Sequence, residues 1–316
     1  MTRTSGMVRT TAGDVDAGSL GRVDYHEHLF QVSPLLPGDE LDDEDASTQE
    51  AVLLRASGFE TMVDATPVGL GRIPAALART ARSSGLRVVA STGAHREEHY
   101  PHGHWLPAMP AGSLAARFLA DLVDGMPLRD GDGDGRPRVD VPAGVLKMGI
   151  GYWRISPFER RVAEAVAEAH RGTGAPVMVH TEHATAAHEV LDALEDLGVS
   201  PARVALAHVD RNPDAVLHAE LADRGAFLGY DGPARARSAP DSVILGCLEA
   251  VVSSGHSRSV LVGGDVARAR RYLSYGGMPG LGYLGHRFVP RMRRLLGDDV
   301  TDQVLRANPA RWLPWT

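Results

Sequence analysis

The sequence predicts an α/β protein whose parallel strands close into a (β/α)8 barrel. Three observations predict it: eight short segments rich in Val, Leu and Ala, helices of suitable length between most of them, and no Gly-x-Gly-x-x-Gly loop after any strand. Buried parallel strands alternating with helices form either a closed barrel or an open, doubly wound sheet. The count of eight favours the barrel, and the missing phosphate loop counts against the open sheet. A chain of 316 residues suits one barrel domain spanning 1–316.

The first strand runs from Val23 to Phe30 and carries His26-Glu27-His28. Residues two apart on a strand share a face, so the two imidazoles stand side by side while Glu27 turns away. A polar stretch, Gly38 to Glu50, leads into a helix over about Ser47–Ser57. Glu60–Asp64 is the second strand, Gly71–Ser84 an amphipathic helix and Leu86–Ser91 the third strand. The insertion that follows holds His95, His99, His102 and His104. Its irregular spacing reads as an entrance loop or lid rather than a further metal site. A helix over Ser113–Asp124 comes next.

Arg129–Arg138 is turn-rich, and its Asp130, Asp132, Asp134 and Gly135 mimic the start of a calcium-binding loop. The twelfth position is Val141 rather than a glutamate, and no helix pair flanks the loop, so calcium is not expected there. Strands follow at Gly144–Lys147, Pro176–His180, Arg203–His208, Ala226–Tyr230 and Ser259–Gly264. Helices are expected over Pro157–Gly172, Thr185–Leu197, Pro213–Arg224, Ser242–Ser253, Arg287–Leu296 and Val300–Ala307, the first with its proline in the opening turn. The whole reads as a (β/α)8 TIM barrel.

Composition narrows the function. The net charge of −7 argues against nucleic acid as a partner. A lone Cys247 forms no intramolecular disulfide and reads as a small buried hydrophobe. No apolar run is long enough for a membrane helix, and Met1–Leu20 lacks a secretory apolar segment, so a cytoplasmic protein acting on a small molecule is expected.

The polar residues then fall at one end of the barrel. His26 and His28 end strand one, Lys147 strand four, His180 strand five and His208 strand six, and Asp265 follows strand eight. Carboxyl ends of barrel strands converge on one mouth, where active sites lie. A His-x-His alone is common and an aspartate after a strand is often a helix cap, but six such residues on one rim exceed what core packing requires. Four histidines and an aspartate suit Zn first, with Mn, Co or Fe as alternatives. An ammonium would be repelled by such ions. Buried near positive charge, however, Lys147 can be neutral and take up carbon dioxide as N6-carboxylysine, an anionic bridging ligand. With that modification the six residues make a site for two divalent metal ions.

His26-Glu-His-Leu29, Val63-Asp-Ala-Thr66, Lys147-Met-Gly149, His180-Thr181, Ala207-His-Val-Asp210, Gly264-Asp265 and Asn308-Pro-Ala-Arg311 together resemble the phosphotriesterase family of the amidohydrolase superfamily, over nearly the whole chain. The resemblance implies that His26, His28 and Asp265 hold the more buried metal and His180 and His208 the more exposed one, bridged by carboxylated Lys147. It implies a hydrolase in which a metal-bridging hydroxide attacks a carbonyl or phosphoryl group and Asp265 is the catalytic proton carrier. It also allows a homodimer.

For the substrate, the loops after strands seven and eight matter most. Asp231-Gly-Pro-Ala-Arg235 and Arg268-Ala-Arg270-Arg271-Tyr272 resemble the phosphorylated-sugar lactonases of the family, although a lysine is usual where Arg235 stands. Arg235, Arg268, Arg271 and Tyr272 are therefore candidate substrate-binding residues, with a solvated helix face as the alternative for the arginines. Tyr152 is a further candidate; it and Trp153 either line the pocket or pack on the rim. The expected reaction is opening of a sugar-type lactone, phosphorylated or not. The alternative is hydrolysis of another carboxylic ester, an amide or an organophosphate by the same two-metal site.

Overall fold

A run of eight parallel strands, each paired with the next, forms a nearly closed barrel with helices between the strands. The computed structural model describes residues 6–131 and 136–316. Asp132, Asp134 and Gly135 of the calcium-like stretch lie outside the described residues. The barrel strands are β1 (Val23–Glu27), β2 (Thr61–Asp64), β3 (Arg87–Gly93), β4 (Val145–Gly149), β5 (Val177–His180), β6 (Val204–Ala207), β7 (Phe227–Tyr230) and β8 (Val260–Val262). The helices that follow them are α1 (Glu44–Ala56), α2 (Pro74–Ser84), α3 (Ala111–Val123), α4 (Pro157–Thr173), α5 (Ala187–Asp196), α6 (Ala215–Asp223), α7 (Asp241–Val251) and α8 (Val289–Leu296). All eight expected strands are present, with ends displaced by a few residues.

Every strand contributes to the barrel interior: Val23 and Tyr25, Val63, Val89, Val145, Met178, Ala205 and Ala207, Phe227 and Leu261. Their neighbours Met62, Val88, Leu146, Val177, Val204, Leu228 and Val260 belong to the second core, between strands and helices. Both faces are buried, which is why the strands read as continuous apolar runs. Local signals agree at α4, where Ser156 and Glu159 form a reciprocal capping box, Pro157 opens the helix and Gly174 ends it at φ 79°.

The floor of the barrel was not foreseen. Met7–Thr10 and Gly13–Asp16 form an antiparallel hairpin, and its Val8 joins Leu20, Trp312 and Leu313 in the interior cluster. Strands of four polar-leaning residues carry no pattern strong enough to read. At the seam, the Asp265 N–H donates to the His26 carbonyl at 2.9 Å, tying the chain beyond β8 to β1. Cys247 is buried, as expected. Among the described residues no helix is long and apolar enough to cross a membrane.

Candidate metal centre

His26 lies within β1, and its register with β2 is irregular between Asp24 and Glu27. The consequence is visible in the side chains: Tyr25 and His26, adjacent in sequence, both reach the carboxylate of Asp231. A regular strand would send them to opposite faces. His208 and Asp265 follow β6 and β8 at φ 67° and 40°, left-handed conformations that non-glycine residues seldom adopt. Such backbone clusters at functional sites. Here both positions carry candidate ligands.

The six expected ligands do converge, and all are buried. Asp265 Oδ1 lies 3.8 Å from His26 Nε2 and 3.6 Å from His28 Nε2. Lys147 Nζ is 3.3 Å from His26 Nε2 and 3.1 Å from Met178 Sδ. His208 Nε2 stands 2.8 Å from His180 Nδ1. Two donor groups, His26 with His28 and Asp265 and His26 with His208 and Asp231, bring ligand atoms within 4.8 Å of one another.

Sequence reasoning missed what holds these imidazoles. Asp231, fully buried at the end of β7, receives His26 Nδ1 at 3.1 Å, His208 Nδ1 at 2.6 Å and the His208 backbone N–H at 3.2 Å, together with the Tyr25 hydroxyl. His28 Nδ1 is 2.7 Å from Thr66 Oγ1, and His180 Nε2 is 2.6 Å from Glu182 Oε1. In each case one ring nitrogen is fixed by an oxygen while the other turns toward the remaining candidate ligands, the arrangement that orients histidine ligands. Asp231 therefore reads as the orienting carboxylate rather than as a ligand. The donor set fits a divalent ion: imidazole nitrogens with fixed tautomers, a carboxylate, and a lysine with no carboxylate partner among the described residues.

A cleft of about 270 Å3 opens over these groups, lined also by His95, Arg96, His99, Arg211, Arg235 and Arg268. Arg235 bonds the Asp265 carboxylate and carbonyl, and Arg211 donates to Asp265 Oδ2 at 2.9 Å. Oδ1 thus faces His26 and His28, while Oδ2 faces the arginines and His208. Arg268, one-third exposed, stands on the same wall, 3.7 Å from Asp39.

Three candidates for substrate contact lie elsewhere. Tyr272 is wholly buried and donates its hydroxyl to the His28 carbonyl, so it props the ligand strand from behind. Arg271 turns its guanidinium to the carbonyls of Asp265 and Val266 and is not among the residues lining the cleft. Tyr152 and Trp153 are exposed beside a separate hollow that shares only Glu182 and Arg211 with the cleft. The histidine insertion also divides: His95 and His99 are buried in the cleft wall, while His104 packs on Trp105.

The chain matches the phosphotriesterase family over residues 6–313. It belongs to that family. A phospho-furanose lactonase of Mycoplasmopsis synoviae is 28% identical over 320 residues, covering 96% of this chain and 91% of the relative. An N-acetyltaurine hydrolase of Danio rerio is 26% identical, with 99% of each chain covered. The crystal structure of a lactonase from Listeria monocytogenes superposes with a TM-score of 0.89 at 28% identity, covering 98% of this chain and 99% of that one. The protein is thus a hydrolase of the phosphotriesterase family with a (β/α)8 barrel.

The electrostatics of this phosphotriesterase-family site favour neutral bases around two anions, Asp231 and Asp265. Burial, then the neighbouring Lys147 charge, pushes His26 down to about 3; burial and Arg211 push His208 down to about 4. Burial brings the Lys147 ammonium down to about 8, against the pull of Asp265 and Asp231. Burial opposes charge on Asp265 too, but Arg235 and the histidines outweigh it and hold its carboxyl well below the usual range. Free imidazoles, a readily deprotonated amine and an ionised carboxylate are the forms that bind metal.

Proposed function

We propose that the protein is a two-metal lactonase that opens a sugar-type lactone carrying a phosphate, acting in the cytoplasm as one barrel domain over residues 1–316. The observation that carries this reading is one cleft with both parts: four histidines and Asp265 on its floor, with Lys147 set against His26, and Arg211, Arg235 and Arg268 on its wall. His26, His28 and Asp265 would hold one ion and His180 and His208 the other, with Lys147 carboxylated between them; Zn suits these donors, as would Mn, Co or Fe. Such ions, when bound, acidify water and polarise the carbonyl under attack.

The chain's own groups supply the rest. Asp265, held ionised, accepts the proton of the attacking water and returns it to the ring oxygen as the C–O bond breaks. Arg235 and Arg268 present guanidinium forks suited to phosphate oxygens. The phosphate is further supported by the Mycoplasmopsis synoviae relative, which is named for a phosphorylated furanose.

The test is a panel of furanose lactones, with and without phosphate, offered to protein reconstituted with each metal. Metal-dependent ring opening is expected, and it should collapse in Lys147→Ala and His208→Ala; full activity in either variant refutes the reading. The Danio rerio relative favours amide hydrolysis as the second reading, alongside other esters and organophosphates. Turnover of N-acyl or uncharged ester substrates without lactone turnover would select it.

A further inference from the structure

Among the buried histidines of the cleft, His95 serves neither as an expected ligand nor as a support for one. Its ring is sandwiched between His99, 3.8 Å away between centroids, and His180, 4.4 Å away. Gly149 backs it; a Cβ there would fall 2.5 Å from the Arg96 nitrogen and 3.2 Å from His95 Nδ1. The His95 backbone N–H donates to the Tyr100 hydroxyl at 2.9 Å, so the residue is held from three sides.

Its proton is also placed. The Arg96 backbone N–H donates to His95 Nδ1 at 2.8 Å, so Nδ1 presents a lone pair and the ring hydrogen sits on Nε2. Turning the ring over would set a carbon against that N–H. Among the described residues Nε2 has no hydrogen-bond partner, and the residue lines the cleft while being 8% exposed. A half-desolvated donor is costly unless something accepts from it. The anion-binding groups Arg211 and Arg235 gather around Asp265, whereas His95 stands against His180. An uncharged acceptor on the sugar ring, rather than the phosphate, suits this position.

We propose that His95 Nε2–H donates to a ring hydroxyl of the substrate and so selects polyhydroxylated lactones over plain ones. The proposal deepens the lactonase reading and rests on it for the identity of the ring. A donor built to meet a hydroxyl rejects an analogue lacking it much more strongly than an apolar wall rejects an added one.

The experiment reads binding, so it does not depend on turnover. The probes are 1,4-anhydro-D-ribitol 5-phosphate, which has no carbonyl to attack, and its 2-deoxy and 3-deoxy forms, titrated by calorimetry into metal-loaded protein. In the wild type, loss of one particular hydroxyl should weaken binding about tenfold. His95→Phe should weaken the parent ring by a similar factor and be indifferent to that hydroxyl. His95→Gln, which keeps an N–H near the Nε2 position, should restore most of the preference, and the metal content of each variant checks that His180 is undisturbed. Equal binding of all three rings by the wild type, an unchanged hydroxyl preference in His95→Phe, or no binding of the parent ring overturns the proposal. Lactone turnover by the wild type is measured separately, so failure of the lactonase reading remains distinguishable.

Discussion

Replacing Asp231 by asparagine should cost the protein one metal and spare the other. Asp231 Oδ2 accepts from the His208 backbone N–H, from His26 Nδ1 and from the Tyr25 hydroxyl, while Oδ1 accepts only from His208 Nδ1. Asparagine offers one oxygen and one NH2. The backbone N–H of His208 has no alternative tautomer, so the amide oxygen must take the Oδ2 place and the NH2 must face His208 Nδ1. His208 then shifts its proton to Nε2, the nitrogen that lies 2.8 Å from His180 Nδ1 and that would ligate. Losing an orienting partner of this kind weakens metal affinity by about 10- to 100-fold, or about 1.4–2.7 kcal/mol. The assay is chelator competition with metal content read per chain. The expected result is one ion released at lower chelator concentration than in the wild type, while the ion at His26, His28 and Asp265 is retained. Wild-type retention of both ions, or equal weakening of both, refutes the assignment of Asp231 as the group that sets the His208 tautomer.

Three further perturbations follow from the same geometry. A Cβ at Gly229 would lie 1.9 Å from the Tyr25 hydroxyl, so Gly229→Ala should displace Tyr25 from Asp231 and lower the free energy of unfolding in urea by about 1–3 kcal/mol. Asp210 is buried, its Oδ1 has no hydrogen-bond partner among the described residues, and burial together with the Asp231 charge raises its carboxyl to about 7. Between the model-peptide value of 3.8 and about 7 the unfolded chain has released this proton and the folded one keeps it, so stability falls as pH rises through that window. Asp210→Asn, whose carbonyl can still accept the Gly232 N–H, should therefore unfold at higher urea than wild type at pH 8 and lose that advantage toward pH 4; an advantage independent of pH would contradict the raised value. Arg268→Ala should raise KM for a phosphorylated lactone about tenfold with little change in kcat, the size of one charge-assisted hydrogen bond. An unchanged KM would remove Arg268 from the phosphate pocket.

The convergence of the candidate ligands was legible in the chain because barrel topology needs only the order of strands to predict which ends meet. His26, His180 and His208 each stand where an apolar strand stops, and a polar residue there has no packing role to explain it. The arginines after β7 and β8 were legible as a group, but their duties were not. Arg235 reaches the cleft and Asp265, Arg271 turns to backbone carbonyls, and Tyr272 is buried behind His28. These residues lie in short 3-10 turns and loops, where no period of 2 or 3.6 tells which way a side chain points.

By itself the sequence determined the barrel, the residues gathered at its mouth and the hydrolase family, since each depends on apolar spacing or on residue identity at strand ends. Only the tertiary structure decided how that mouth is organised. Asp231 is some two hundred positions from His26, and nothing local to either predicts that one carboxylate orients both His26 and His208. His95 reads as part of an irregular loop until the chain folds it against His180 and Gly149. Closure of the ring creates these contacts, and hydrogen-bond direction, which the sequence does not encode locally, decides which nitrogen of each imidazole faces the reaction.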